Sequence, residues 1–146
     1  MSLGSFKSYD ADQVSLVYAG VLLDSGFADG EFIRIEKTRE QFGTYEGTDG
    51  EVTRSKLLSK LHKIRIRLSQ SSNGNSVLSA AALLDSNGVN GAGVVPLLIL
   101  DRQGTTVFSA SKAWISKLPE ASFDRMAKER EWEITAIIDF RLDGSN

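Results

Sequence analysis

The sequence predicts a mainly β fold, a small β-barrel or sandwich with one flanking α-helix over about residues 76–86. Three observations predict it: most apolar segments alternate with period two, one segment alone has helical spacing, and turn residues separate the segments at short intervals. The chain has 146 residues, 41% of them hydrophobic and 25% charged, which suits one globular core. We therefore expect a single domain over residues 1–146.

The period-two segments predict the strands in chain order. They lie at about 13–19, 31–36, 60–69, 94–100, 105–110 (continuing towards 115) and 129–140. In the segment 60–69, alternate residues are aliphatic and cationic, so one face belongs to the core and the other meets water or acidic groups. In the last strand the predicted core face holds Trp132, Ile134, Ala136, Ile138 and Phe140, and the other face holds Glu129, Glu131, Glu133, Thr135, Ile137 and Asp139.

One segment has the spacing of an amphipathic helix. Val77, Leu78, Ala81 and Leu84 recur at helical intervals after Asn73-Gly74-Asn75. Asn73 or Asn75 is suited to the start of this helix, and Asn87-Gly88 to its end. A helical turn is also expected around 123–128.

Residues 38–55 form a long stretch with three glycines in which polar residues alternate with lone aromatic ones. A connection of this length in a compact domain is usually functional or disordered. Asp49-Gly50 is suited to a two-residue turn that joins Tyr45 to Thr53 in a hairpin. We interpret this segment, hereafter the arm (38–55), as one that leaves the domain and returns.

Composition excludes several classes of function. With 17 Lys and Arg against 19 Asp and Glu, the net charge of −2 argues against tight nucleic-acid binding. The chain has no cysteine, so disulfides and thiolate metal sites are excluded. The N-terminus lacks the apolar run of a signal peptide, and no segment reaches the roughly 20 apolar residues that span a membrane. We expect the protein to be made and kept in the cytoplasm until assembly.

His62 is the one histidine, so any Ser-His-Asp triad would have to use it. Its position among Lys and Arg residues on a strand favours a packed or edge histidine over a catalytic base. We expect no enzyme, no cofactor and no metal. The cationic row Lys63, Arg65, Arg67 and the acidic row Glu129, Glu131, Glu133 are either solvated faces or charge-complementary surfaces, between strands or between subunits.

An ordered set of short phrases resembles the tail tube family of contractile-tailed bacteriophages, related to the tubes of R-type pyocins and type VI secretion systems. The phrases are Gly26-Phe27-Ala28-Asp29-Gly30, the run 47–55, Ser76-Val77-Leu78, the run 101–105, Lys112-Ala113-Trp114-Ile115 with Pro119 beyond, and Arg130-Glu131-Trp132. Their order and spacing fit from about Tyr9 to Phe140.

The resemblance implies a structural subunit whose hexameric rings stack into a hollow tube that conducts DNA during ejection. It implies a sheath protein outside, a tape measure protein and DNA inside, baseplate and terminator proteins at the ends, and no membrane insertion by this subunit. The protein would belong to the virion tail and assemble in the host cytoplasm. By the same analogy the arm contacts the adjacent ring through Phe42, Tyr45, Asp49, Val52 and Arg54.

A further hypothesis places Glu131, Glu133 and Asp139 on the lumen wall, where acidic groups would repel DNA and let it slide. The competing assignment turns this face outward, against the sheath. Three alternatives remain for the function: a tube subunit of a pyocin or type VI-like system, a small-ligand-binding β-barrel, and a hydrolase that uses His62.

Overall fold

The structure, a computed structural model, describes residues 8–89 and 91–145. A 3-10 turn at Ala11–Gln13 leads into strand β1 (Val14–Tyr18), and the elements that follow have these bounds: β2 (Val21–Leu23), β3 (Ile33–Lys37), β4 (Phe42–Glu46), β5 (Val52–Lys56), β6 (Leu61–Ser69), α1 (Gly74–Asn87), β7 (Val95–Asp101), β8 (Val107–Lys117) and β9 (Glu129–Leu142). The mainly β fold with one helix is confirmed, and the helix is slightly longer than predicted.

Seven strands form one antiparallel sheet in the order β2-β1-β7-β8-β9-β6-β3, and β4 pairs with β5 alone. The long sheet is not closed, so β2 and β3 are its two edges. Strand β2 was not predicted. It follows a two-residue turn in which Ala19 and Gly20 both have positive φ, 54° and 81°, the geometry that tight hairpins require.

The long sheet curves around a single hydrophobic core. Side chains from β1, β6, β7, β9 and the helix meet in it, and the largest fully buried ones are Tyr18, Leu16, Ile64, Ile66, Leu68, Leu78, Leu97 and Ile134. Edge strand β3 is far from β7 in the strand order, yet Ile33 and Ile35 line the same cavity as Ile99 and Phe108. The connection from β2 to β3 runs from one edge of the sheet to the other. Within it, Phe27 forms an isolated β-bridge with Leu68 of β6.

Helix α1 packs closely against the core at its first turn. A Cβ atom on Gly74 would stand 3.1 Å from Cδ1 of Leu68 and 3.5 Å from Cδ2 of Leu23. Glycine fits this approach without displacing either leucine, whereas a Cβ would require Leu68 to shift by a few tenths of an ångström. Leu78, one turn further on, is fully buried in the core. The structure has no helix, within the described residues, that is long and apolar enough to cross a membrane.

Asn75 joins the helix to the sheet through its side chain. Its Oδ1 accepts a hydrogen bond from Nε1 of Trp132 at 2.9 Å, and its Nδ2 donates to the backbone oxygen of Ser69 at 2.9 Å. The same amide lies within hydrogen-bond distance of the carbonyls of Gln70 and Ser72. The buried Asn75 therefore connects the start of α1, the 69–72 connection and the first part of β9. Asn73 occupies the N-cap position without a side-chain capping bond.

A bulge in β9 changes which face its residues occupy. Ile138 lies opposite Ala110, but Phe140 lies opposite Ser109, so Asp139 has no partner in the pairing. Beyond this point the alternation is inverted. Phe140, predicted to face the core, is 54% exposed, and Arg141 instead lies over the ring of Phe108 at 5.1 Å. The assignment of Phe140 to the core was wrong for this reason.

Replacement of Asn75 by Ala should destabilise the protein by about 2–3 kcal/mol, because the buried indole N–H of Trp132 and the carbonyls near residue 70 lose their partner. Urea denaturation followed by circular dichroism measures the loss. Asn73→Ala is the matched control and should change stability by less than about 0.5 kcal/mol. Equal effects of the two changes would contradict the role given to Asn75.

Candidate assembly surfaces

The arm contains the β4–β5 hairpin, whose five residue pairs run from Phe42↔Lys56 to Glu46↔Val52. The predicted pairing of Tyr45 with Thr53 is confirmed. The predicted two-residue turn at Asp49-Gly50 was wrong in length, because residues 47–51 separate the last pair, Glu46↔Val52, and the Gly50 amide donates to the Gly47 carbonyl. Gly50 has φ 86°, and the carboxylate of Asp49 accepts a hydrogen bond from the Glu51 amide at 3.1 Å. At the base of the arm, the Thr38 amide donates to the Leu61 carbonyl and the Leu57 amide to the Gln41 carbonyl.

The predicted contact residues of the arm fall on both of its faces and at its tip. Phe42, Arg54 and Val52 share one face, where the Arg54 guanidinium lies 4.2 Å from the centre of the Phe42 ring. Tyr45 is on the other face, because successive strand residues alternate. Tyr45 is 70% exposed and Val52 is 63% exposed. Both faces thus present apolar surface to solvent.

The cationic row of β6 and the acidic row of β9 lie side by side. Arg65 is directly opposite Glu133 and Arg67 is opposite Glu131. Nζ of Lys63 is 3.8 Å from the Glu133 carboxylate, and Arg67 forms an ion pair with Glu129. The two rows therefore complement each other between neighbouring strands of one chain. We call this surface the charged face; it includes Lys63, Arg65, Arg67, Glu129, Glu131 and Glu133.

Of the three residues assigned to the lumen, Glu131 and Glu133 are together and Asp139 is apart. Glu131 and Glu133 line a concavity with Arg65, Lys117 and Glu120. Asp139 is six residues further along β9, about 20 Å away. Its carboxylate accepts a hydrogen bond from the Ser111 amide at 2.8 Å, and the hydrogen bonds from Ser111 lower the pKa of Asp139.

A second concavity, of about 550 Å³, lies at the base of the arm. We call it the arm-base cleft, and it is lined by Lys37, Gln41, Ser59, Lys60, His62, Ile138, Asp139, Arg141 and Asp143. Three strands and the two ends of the arm supply these residues. The grouping of Lys37, Lys60 and Arg141 was not predicted, because these residues are far apart in the chain and meet only through the strand order β9-β6-β3.

His62 is the buried part of this cleft, with 3% of its surface exposed. Its Nδ1 is 2.9 Å from the backbone oxygen of Lys60, and its buried Nε2 has no hydrogen-bond partner among the described residues. Burial is the main cause that lowers its pKa, and the nearby charges of Arg141 and Lys37 act in the same direction. The Lys60 carbonyl and Asp143 oppose the shift. His62 is a packed histidine, as the sequence indicated.

The connection between β8 and β9 also exposes apolar side chains. Phe123 and Met126 are 85% and 78% exposed. Residues 118–124 and 127–128 have no regular structure, so the helical turn expected around 123–128 is not formed. The end of this connection is held by Gln70, whose backbone N–H donates a hydrogen bond to the Lys128 carbonyl at 2.8 Å.

The lowered pKa of His62 should make stability depend on pH. Because the folded state binds this proton less readily than the unfolded state, whose value is near 6.5, stability is complete above pH 6.5 and falls as the pH drops below it. The slope from one proton cannot exceed about 1.4 kcal/mol per pH unit. Urea denaturation between pH 7.5 and pH 5 measures it, in ~0.5 unit steps.

His62→Gln is the control variant and should flatten the curve over this range. The carboxyls with lowered pKa, Asp124, Asp139 and Asp143, start from 3.8 and affect stability only at lower pH. An unchanged slope in the Gln variant would show that another group causes the dependence.

Comparison with known proteins shows the family to which the chain belongs. A structural protein, ORF10, of Pseudomonas phage KPP10 is 25% identical over 137 residues, which cover 90% of this chain and 79% of that protein. The fold resembles the sheath/tube terminator of an extracellular contractile injection system (PVC) with a TM-score of 0.59 at 16% identity, covering 98% and 100% of the two chains.

Two further structures share the fold. A chain of the PVC sheath-tube complex gives a TM-score of 0.57 at 14% identity, covering 92% and 90% of the two chains. The tube-terminating cap of the anti-feeding prophage gives 0.57 at 9% identity, covering 93% and 91%. The family model described as bacteriophage PhiTE tail tube protein matches residues 1–143. The chain therefore belongs to this tail tube family, and it is a structural protein of a phage tail and not an enzyme.

Proposed function

We propose that copies of this chain close into hexameric rings, and that the rings stack into a hollow tube that conducts DNA during ejection. The observation that carries the proposal is the arm. Its hairpin is fully paired, yet a two-stranded hairpin alone is marginally stable in water. Its exposed Tyr45 and Val52 supply the apolar surface that a second copy would cover.

The contact between rings is proposed to use Phe42, Tyr45, Asp49, Val52 and Arg54. Tyr45 and Val52 lie on opposite faces of the hairpin. Both faces are in contact when a hairpin enters a groove between subunits, whereas only one is when a hairpin lies flat on a surface, so this arrangement favours an inserted arm. We propose further that the chain is one tail tube domain over 1–146, from which this arm protrudes.

Ring closure is supported by the open sheet. Its edge strands β2 and β3 each pair on one side only, within the described residues. Unpaired edges readily pair with other chains, and closing a ring of copies removes them. Strand β3 has five residues and is the longer of these edges.

We propose that Glu131, Glu133 and Asp139 face the lumen. Glu131 and Asp139 are exposed. The ionised side chains of the charged face bind water, and a wall along which DNA slides must stay hydrated. Outside the tube we expect the sheath, inside it the tape measure protein and DNA, and at its ends baseplate and terminator proteins, with assembly in the host cytoplasm. A subunit of a pyocin or type VI-like tube is the alternative; the match to a phage family favours the phage tail.

Electron microscopy and sedimentation of the purified chain test the assembly. Rings of six and tubes should form as concentration rises. The Tyr45→Ser/Val52→Ser variant should keep rings but lose tubes, because the apolar surface of the arm is gone. Leu84→Ser/Val89→Ser changes two equally exposed apolar residues outside the arm and should leave tubes intact. A wild-type chain that stays monomeric at high concentration would contradict the proposal.

Thiol labelling tests the lumen assignment, since the chain has no native cysteine. Glu131→Cys labelled with a gold cluster before assembly should give density on the tube axis in electron micrographs. Leu84→Cys, on the exposed side of α1, is the control and should give density at a different radius. Glu131 label on the outer surface would assign the charged face to the sheath side.

A further inference from the structure

We propose that the arm-base cleft binds the acidic tip of the arm of a second copy of this chain, so that copies join tip to base. The inference rests on the proposed self-assembly, and it names the surface that receives the arm. It follows from the acidic charge at the tip of the hairpin, from the cationic charge at its base, and from the absence of ion pairs at Glu46, Glu51, Lys37 and Lys60 within the described residues.

The tip of the arm is acidic throughout. Between Phe42 and Thr53 the chain has three carboxylates, Glu46, Asp49 and Glu51, and no cation. Asp49 is partly used within the turn, since it accepts the Glu51 amide. Glu46 and Glu51 are exposed and form no ion pair in the part of the chain that the structure describes. The natural partner of this tip is therefore a cationic surface.

The arm-base cleft has three cations, Lys37, Lys60 and Arg141, and two carboxylates, Asp139 and Asp143, so one positive charge is in excess. Lys37 and Lys60 make no ion pair with any described residue. The third cation, Arg141, is bound by Asp143 through two contacts of 2.9 and 3.0 Å. The remaining carboxylate, Asp139, is held by the Ser111 amide at 2.8 Å. The lowered pKa of His62 keeps its ring neutral near pH 7, so the cleft presents a net charge of one positive unit to a ligand, whereas the cations and carboxylates of the charged face are equal in number.

The charged face is a weaker candidate for the acidic tip. Its cations already have carboxylates beside them: Lys63 and Arg65 adjoin Glu133, and Arg67 is paired with Glu129. A second set of carboxylates would meet as much repulsion as attraction there. Charge complementarity therefore selects the cleft.

The two ends of the arm also suit a contact that repeats. A hairpin of this length places its tip about 20 Å from its base. A contact between tip and base uses different surfaces on the two copies, so it is heterologous and can repeat from copy to copy; it continues as an open stack when the rotation between copies does not close a ring. That is the property that a stacked assembly needs.

Charge reversal tests the contact with the full-length chain. Glu46→Lys/Glu51→Lys and Lys37→Glu/Lys60→Glu should each raise the concentration at which tubes form by about tenfold or more, measured by sedimentation at low salt. The quadruple variant combines both pairs, so that its tip is cationic and its cleft is acidic, and the two surfaces attract each other again. It should form tubes with itself again and should not extend wild-type tubes.

The controls are Asp12→Lys/Asp24→Lys and Arg102→Glu/Arg125→Glu, which reverse exposed charges outside the tip, the cleft and the charged face and should assemble as wild type does. Circular dichroism verifies folding, and the milder pair Glu51→Lys and Lys60→Glu serves if a double variant unfolds. Two outcomes would overturn the contact alone. In the first, the wild-type chain forms tubes and the cleft variants form them at the same concentration. In the second, the quadruple variant is folded but makes no tubes. A wild-type chain that forms neither rings nor tubes would overturn the proposed function itself.

Discussion

The hydrogen bond between Asn75 and Trp132 ties three separate parts of the chain to one another. It reaches from the first turn of α1 to the first part of β9, while the same amide holds the carbonyls of the 69–72 connection. An unpaired indole N–H in a core is costly, so the hydrogen bond favours the helix position that supplies the acceptor. Gly74 beside it permits the close approach. The side chain of Asn75 thus fixes the start of the helix against the sheet.

Much of this fold could be predicted from the sequence because β6, α1 and the first part of β9 follow regular periods. The arm hairpin was predictable for another reason, since Asp49-Gly50 has the turn chemistry of a tight hairpin. Strand β2 was not predictable, because Ala19 is an unusual residue at positive φ and gives no turn signal. The bulge at Asp139 was hidden as well, since it depends on pairing with β8 and inverts Phe140 and Arg141.

The surfaces were harder to predict than the elements that carry them. Residues of the arm could be named, but their division between two faces depends on the register Tyr45↔Thr53. Lys37, Lys60 and Arg141 become neighbours only through the strand order, which local periodicity does not contain. The family, in turn, was indicated by the order of many short phrases, and not by any one residue with a chemical role.

The charge pairing between β6 and β9 has a consequence for the electric field outside the protein. Opposite charges a few ångströms apart form dipoles, and the field of a dipole falls with distance faster than that of a single charge. Salt shortens its range further, to within a Debye length of about 8 Å. A long polyanion moving past Arg65 and Glu133 would therefore meet a smooth, nearly neutral wall. Hydration without net charge is a second way, besides repulsion, to keep such a molecule from sticking.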